Sequence, residues 1–191
     1  MSANLFVDHT IQSAPIDSRR SMETTAKRLG YLPAPVARMA SSPQLLDGFL
    51  KISSIFETTT LEPVAREVLI MTIAARAGCH VCVAMHTARL TSLGAGSDLI
   101  AALRERQPLE IERLEAIRVF TLDVLASAGA VSVDSLNAFL TSGYSCQNAL
   151  EVVLGIGAYT MSTLANRMTQ APLDEQLAPF AWNTPAIQLR D

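Results

Sequence analysis

The sequence predicts an all-helical fold in a single domain, on three observations. Apolar residues recur at helical spacing along most of the 191 residues, glycines and prolines punctuate the chain at helix-length intervals, and there is no convincing alternating strand or Asn-Gly or Asp-Gly hairpin turn. One domain of this length buries roughly 70% of the surface its unfolded chain exposes, so no second domain is required.

Asp17 or Ser18 caps a first helix that runs through Met22 and Ala26 to Leu29, where Gly30 stops it. The Pro-punctuated stretch Tyr31 to Met39 makes one short helix, and Ser42-Pro43 opens a third. In the third, Leu45, Leu46, Phe49, Leu50, Ile52 and Phe56 mark an apolar face, and Thr58-Thr59-Thr60 ends it. A fourth runs from about Glu62, with Pro63 in its first turn, to Ala77 before Gly78. A fifth carries the cysteines to Leu93, and after Gly94-Ala95-Gly96 residue Ser97 caps a sixth. Residues 109–127 form the next, burying Ile111, Leu114, Ile117, Phe120, Leu122 and Leu125. Val133 to Leu140 is shorter, and a long helix spans about Gln147 to Met168. The expected organisation is an irregular segment over 1–16, a helical domain over 17–170, and a tail over 171–191. Phe180 and Trp182 in that tail should pack on a neighbouring subunit.

Apolar residues make up 49% and charged residues 17%, with a mean hydropathy of +0.26, a surplus that reads as a subunit interface. A net charge of −3, a pI near 5.6 and only two lysines, Lys27 and Lys51, leave no basic footprint for nucleic acid. Met1 to His9 lacks a charged start followed by an apolar core, so no secretory signal is expected and the location expected is cytoplasmic. The longest apolar run, Val152 to Ala165, is short of the ~18 residues of a membrane span. In a reducing compartment a CxxC is catalytic or metal-binding rather than a permanent staple.

That motif is Cys79-His80-Val81-Cys82, followed by His86. On a helix the spacings i, i+3 and then i, i+4 put both thiols and the imidazole on one face. Cysteines at a helix start sit among unpaired backbone N–H groups, which favours thiolate, the species that attacks peroxides and disulfides. Glu67 lies twelve residues before Cys79, about 18 Å away on one continuous helix. A reversal at Gly78 instead makes it a cross-helix neighbour of His86, giving the order Glu67, His86, Cys82, Cys79: a carboxylate orienting an imidazole that takes a proton from a thiol.

Other readings stand beside this one. The cysteines could be idle buried helix residues, or zinc could take Cys79, Cys82 and His86 with Glu67 or Cys146 as a fourth ligand. His80 reads as a solvent-facing neighbour of the cysteines, and His9 has no partner nearby in sequence. Cys146 reads as a small buried hydrophobe, and Met71, Met85, Met161 and Met168 as core or interface. Tyr159 and Asn166 of the long helix are placed at the active groove.

With Glu67, eleven intervening residues, Cys79-x-x-Cys82-x-x-x-His86 and then Leu93-Gly94, the chain resembles the AhpD-like alkylhydroperoxidases of the carboxymuconolactone decarboxylase superfamily. Lys27-Arg28-Leu29-Gly30, the Pro33 region, Ser42-Pro43-Gln44-Leu45-Leu46 and Asn166-Arg167 share the likeness. The resemblance implies a helical bundle with the CxxC opening a central helix, assembled as a homo-oligomer, a trimer or hexamer. It implies that Cys82 attacks a hydroperoxide, Cys79 resolves the sulfenic acid, His86 is the base and Glu67 its relay partner. No bound cofactor is implied, only an external dithiol reductant such as a lipoyl or thioredoxin-type carrier. Val81 departs from members with a histidine or other polar residue directly before the second cysteine, and that shortens the relay. The expected function is thus a CxxC-dependent peroxidase. The alternatives are a thiol-disulfide oxidoreductase acting on a lipoyl or protein partner, a decarboxylase of the superfamily's name type, and a redox-sensing subunit.

Overall fold

The computed structural model describes residues 5–183; residues 1–4 and 184–191, the outer ends of the expected N-terminal segment and tail, lie outside the described residues. The described chain is all helical, as the sequence predicts: α1 Ile16–Leu29, α2 Ala34–Met39, α3 Pro43–Glu57, α4 Pro63–Ala77, α5 His80–Ser92, α6 Ser97–Glu105, α7 Glu112–Ala126, α8 Val133–Thr141, α9 Cys146–Met168 and a 3-10 helix Glu175–Phe180.

α4 is the axis of the fold. It is buried without interruption from Glu67 to Ala75, the pattern of a helix enclosed on all sides. α5, α6, α7 and α9 pack around it, and α3 lies along α9. The main core gathers Val68, Leu69, Met71, Ile117, Phe120, Phe139 and Val152, and a smaller cluster of Met22, Met39, Ala40 and Leu46 seats α1 to α3. Phe139 stacks between Phe120 and Tyr144, at centroid separations of 4.2 and 4.4 Å. α9 approaches closely enough that a Cβ added to Gly155 would lie 2.6 Å from Phe56 Cε2 and 2.9 Å from Leu69 Cδ2.

The hinge of the site is Gly78. Its φ of 69° is left-handed, which a Cβ disfavours. The Gly78 N–H donates to Ala75 O (3.2 Å) and the Cys79 N–H to Ala74 O (3.0 Å), a Schellman closure of α4. The residue that completes this stop, Cys79, is also the N-cap of α5, so the chain turns back with no linker between the two helices.

Three expectations are corrected at this level. α1 begins after Pro15 without a side-chain cap; Ser18, expected as a cap, is buried and donates its hydroxyl to Ala40 O at 2.8 Å. Gly96 occupies the N-cap of α6, with Ser97 the first helical residue. Ile111, expected in the core, is the N-cap of α7 and 54% exposed, because the buried face of α7 begins at Leu114. The described part of the segment after α9, through residue 183, lies on its own chain. Arg104 donates to Phe180 O (3.1 Å) and Ala181 O (2.7 Å), and the buried Trp182 returns an indole N–H to Arg104 O (3.2 Å). Among the described residues no helix is long and apolar enough to cross a membrane.

Candidate active site

Cys79 and Cys82 form a disulfide across the first turn of α5, with Cα atoms 5.3 Å apart. Both are buried, Cys79 at 2% and Cys82 at 5% exposure. As N-cap, Cys79 takes the position where side chains accept backbone N–H groups, and its sulfur accepts the Cys82 N–H at 3.4 Å. The helix start therefore serves the Cys79 sulfur.

The Cys82 sulfur has different partners, both from α9: Asn166 Nδ2 at 3.4 Å and Thr163 Oγ1 at 3.7 Å. Tyr159, Thr163 and Asn166 follow one another at i, i+4 and i+7, so a single face of α9 covers the site. The sequence placed Tyr159 and Asn166 there and missed Thr163; continuing the same helical spacing would have found it.

The Gly78 reversal brings Glu67 of α4 to His86 of α5, carboxylate Oε2 to imidazole Nδ1 at 2.8 Å. Both side chains are largely withdrawn from water, the acid at 4% and the imidazole at 14% exposure. A carboxylate accepting the Nδ1 proton fixes the tautomer and leaves Nε2 as the free base. The Tyr159 ring meets the His86 ring edge to face at 5.5 Å, and its hydroxyl lies 3.3 Å from Ser53 Oγ. Burial above all pushes the Tyr159 phenol up to about 12; the Ser53 hydrogen bond lowers it and the charges of Glu67 and Glu57 raise it. Tyr159 is thus a neutral wall to the imidazole at physiological pH.

Two buried polar atoms of α9, Thr160 Oγ1 and Asn166 Oδ1, have no hydrogen-bond partner among the described residues. An orphaned buried acceptor costs about 1–3 kcal/mol. Val81 is fully buried, so the position before the second cysteine is apolar. His80 is exposed. Cys146, expected to be buried, is free and exposed, because it is the first residue of α9 and points away from the core. Cys79 and Cys82, the two thiols of the zinc reading, are bonded to each other here. Among the described residues no group of three or more His, Cys, Asp and Glu is placed to hold a metal ion.

Residues 43–130, which include Glu67, both cysteines of the motif and His86, match the carboxymuconolactone decarboxylase family. No curated protein matches the sequence. Among solved structures, an AhpD-core, uncharacterized peroxidase-related protein from Ralstonia eutropha JMP134 aligns with a TM-score of 0.79 at 16% identity, over 90% of this chain and 93% of that one. An uncharacterized peroxidase-related protein from Silicibacter sp. TM1040 aligns at 0.76 and 15% identity, over 92% and 95%. A cysteine-to-alanine variant of the debrominase Bmp8, in complex with 2,3,4-tribromopyrrole, aligns at 0.73 and 17% identity, over 94% and 96%. At such identities the likeness speaks for the fold. The chain shares the fold of these AhpD-like proteins, in keeping with the resemblance its sequence carries.

Proposed function

We propose that the protein is a dithiol peroxidase of the alkylhydroperoxidase type. One observation carries the reading: a dithiol at the start of α5, closed as a disulfide, shares a helix face with an imidazole that a buried carboxylate orients. In the reduced protein the Cys82 thiolate attacks the terminal peroxide oxygen. The O–O bond breaks, an S–O bond forms, and the departing alkoxide takes a proton to leave as the alcohol. The Cys79 thiol then attacks the Cys82 sulfur and expels water, giving the disulfide. His86 Nε2 takes the thiol proton and returns it to the leaving oxygen, and Glu67 stabilises the imidazolium between these steps. An external dithiol, a lipoyl group or a thioredoxin-type protein, restores the thiols by exchange. The buried, apolar Val81 beside the pair supplies no relay group, so the proposed relay runs through His86.

Stopped-flow mixing of reduced protein with cumene hydroperoxide tests the reading. It expects one disulfide formed per alcohol released and no reaction in Cys82→Ser; a reduced protein that stays reduced overturns it. The second reading, a thiol-disulfide oxidoreductase that sees no peroxide, is favoured by the bonded pair alone, and rapid oxidation by oxidised lipoamide without reaction with peroxide would select it. A decarboxylase would retain turnover in Cys82→Ser. Because one structural neighbour is a debrominase, halogenated pyrroles belong in the same assay.

The same proposal includes self-association in the cytoplasm. Leu150, Val153, Leu164 and Met168 stay exposed along the outward face of α9, an apolar stripe suited to a second copy of the chain. Sedimentation velocity tests this: a larger species is expected for the protein and a smaller one for Leu164→Glu.

A further inference from the structure

The peroxidase chemistry proposed above leaves a buried amide at the Cys82 sulfur unused. Asn166 is 6% exposed, its Nδ2 lies 3.4 Å from Cys82 Sγ, and its Oδ1 has no partner among the described residues. A disulfide sulfur carries no hydrogen, so the amide must face it nitrogen first, which is the arrangement that strands the oxygen.

We propose that Asn166 is a catalytic residue that binds the Cys82 sulfur through successive redox states, donating N–H to the thiolate and accepting the O–H of the sulfenic acid on Oδ1. The donor half follows from how hydrogen bonds are shared. The backbone donor at the start of α5 is spent on Cys79 Sγ, so negative charge on Cys82 relies on α9, through Asn166 and Thr163. The acceptor half rests on the peroxidase reading. When the thiolate takes the terminal oxygen and alkoxide departs, a new hydroxyl appears on an atom bonded to Sγ. The idle Oδ1, on the same amide carbon as the contacting nitrogen, offers this hydroxyl an acceptor that is not already engaged. Holding it there keeps the S–O bond in one orientation until the Cys79 thiolate attacks sulfur, the S–O bond breaks, and the hydroxide leaves with a proton as water.

The test uses the full chain carrying Cys79→Ser and Cys146→Ser, so that Cys82 is the only thiol. Thiolate absorbance against pH, dimedone trapping after one equivalent of hydrogen peroxide, and thermal melting are measured for Asn166→Ala, Asn166→Asp and Thr163→Val. Loss of the amide donor in Asn166→Ala raises the thiolate midpoint by about one pH unit. Asn166→Asp, close to isosteric, raises it further by placing a carboxylate at the sulfur, and Thr163→Val raises it less. Trapped sulfenic acid falls about tenfold in Asn166→Ala, and less in Asn166→Asp, which keeps an acceptor. A structural amide would lower the melting temperature and leave the midpoint alone, and an unchanged midpoint in both Asn166 variants overturns the proposal. If the Asn166-intact protein traps no sulfenic acid, the peroxidase reading fails and takes the acceptor half with it, while the midpoints still decide the donor half.

Discussion

The Glu67 carboxylate and the His86 imidazole meet at 2.8 Å across the α4–α5 hairpin, with Glu67 only 3% exposed. In the proposed relay this buried acid holds the ring and offsets its charge when the ring takes a proton. Glu67→Gln keeps the size and an acceptor oxygen while removing the charge. The expected outcome is an oxidation rate by cumene hydroperoxide lower by about 100-fold. Stopped-flow rates check it, and an unchanged rate would remove Glu67 from the relay.

Glycine at 155 is required by space, whereas a Cβ placed on Gly157, two residues on, would meet nothing within 4 Å. Gly155→Ala drives a methyl into Phe56 and Leu69 and should destabilise the fold by about 1–3 kcal/mol. Gly157→Ala should stabilise it by up to about 1 kcal/mol through helix propensity. Opposite shifts in urea midpoints for the two variants are the expected result.

Glu151 of α9 is buried and accepts from the Thr60 N–H (2.9 Å), the Thr60 hydroxyl, Asn148 and Gln147, tying the α3–α4 connection to the long helix. Burial pushes its carboxyl up, but the Thr60 backbone donor and the side-chain donors of Asn148, Thr60 and Gln147 together bring it below the usual range. A depressed folded-state value stabilises the protein above the ordinary carboxylate pKa, and that stability is lost as pH falls through the folded value. Glu151→Gln should therefore be less stable at neutral pH, with its deficit shrinking as pH drops below about 4. Chemical denaturation at several acid pH values measures the gap.

At the alkaline end the sign reverses. Tyr159 titrates at about 12 in the fold, chiefly through burial. A raised folded value gives stability that is full below the ordinary tyrosine pKa of about 10 and drains away as pH climbs towards the folded one. Tyr159→Phe keeps the ring against His86 and removes that loss. Its phenolate titration should lack the latest-ionising step, and its alkaline unfolding should move to higher pH.

Helix boundaries marked by a ring or a missing Cβ were legible in the sequence, since Pro43, Pro63, Gly30 and Gly78 act on their own backbone whatever surrounds them. The exact starts at Pro15 and Gly96 were not, because neither residue has a capping side chain and the polar residues just inside each helix, Asp17, Ser18 and Ser97, read as caps instead. In the site, spacing from Gly78 sufficed to pair Glu67 with His86, for local geometry sets that pairing. Thr163 was overlooked although it lies at helical spacing between Tyr159 and Asn166, and that its hydroxyl reaches Cys82 across 81 positions depends on how α9 rolls against α5. Cys146 was misread because one thiol at a helix start can face either way, and packing decides which.

Since Cys79 both completes the stop of α4 and begins α5, no slack separates the two helices. The interval between the acid and the thiols is consequently a fixed measure, like teeth on a ratchet. Adding or deleting one residue between Glu67 and Gly78 would turn Glu67 by about 100° and slide it about 1.5 Å relative to the ring, aiming its carboxylate away. Point changes along the rod can be absorbed, but its length cannot drift by a single position without unmeshing the pair.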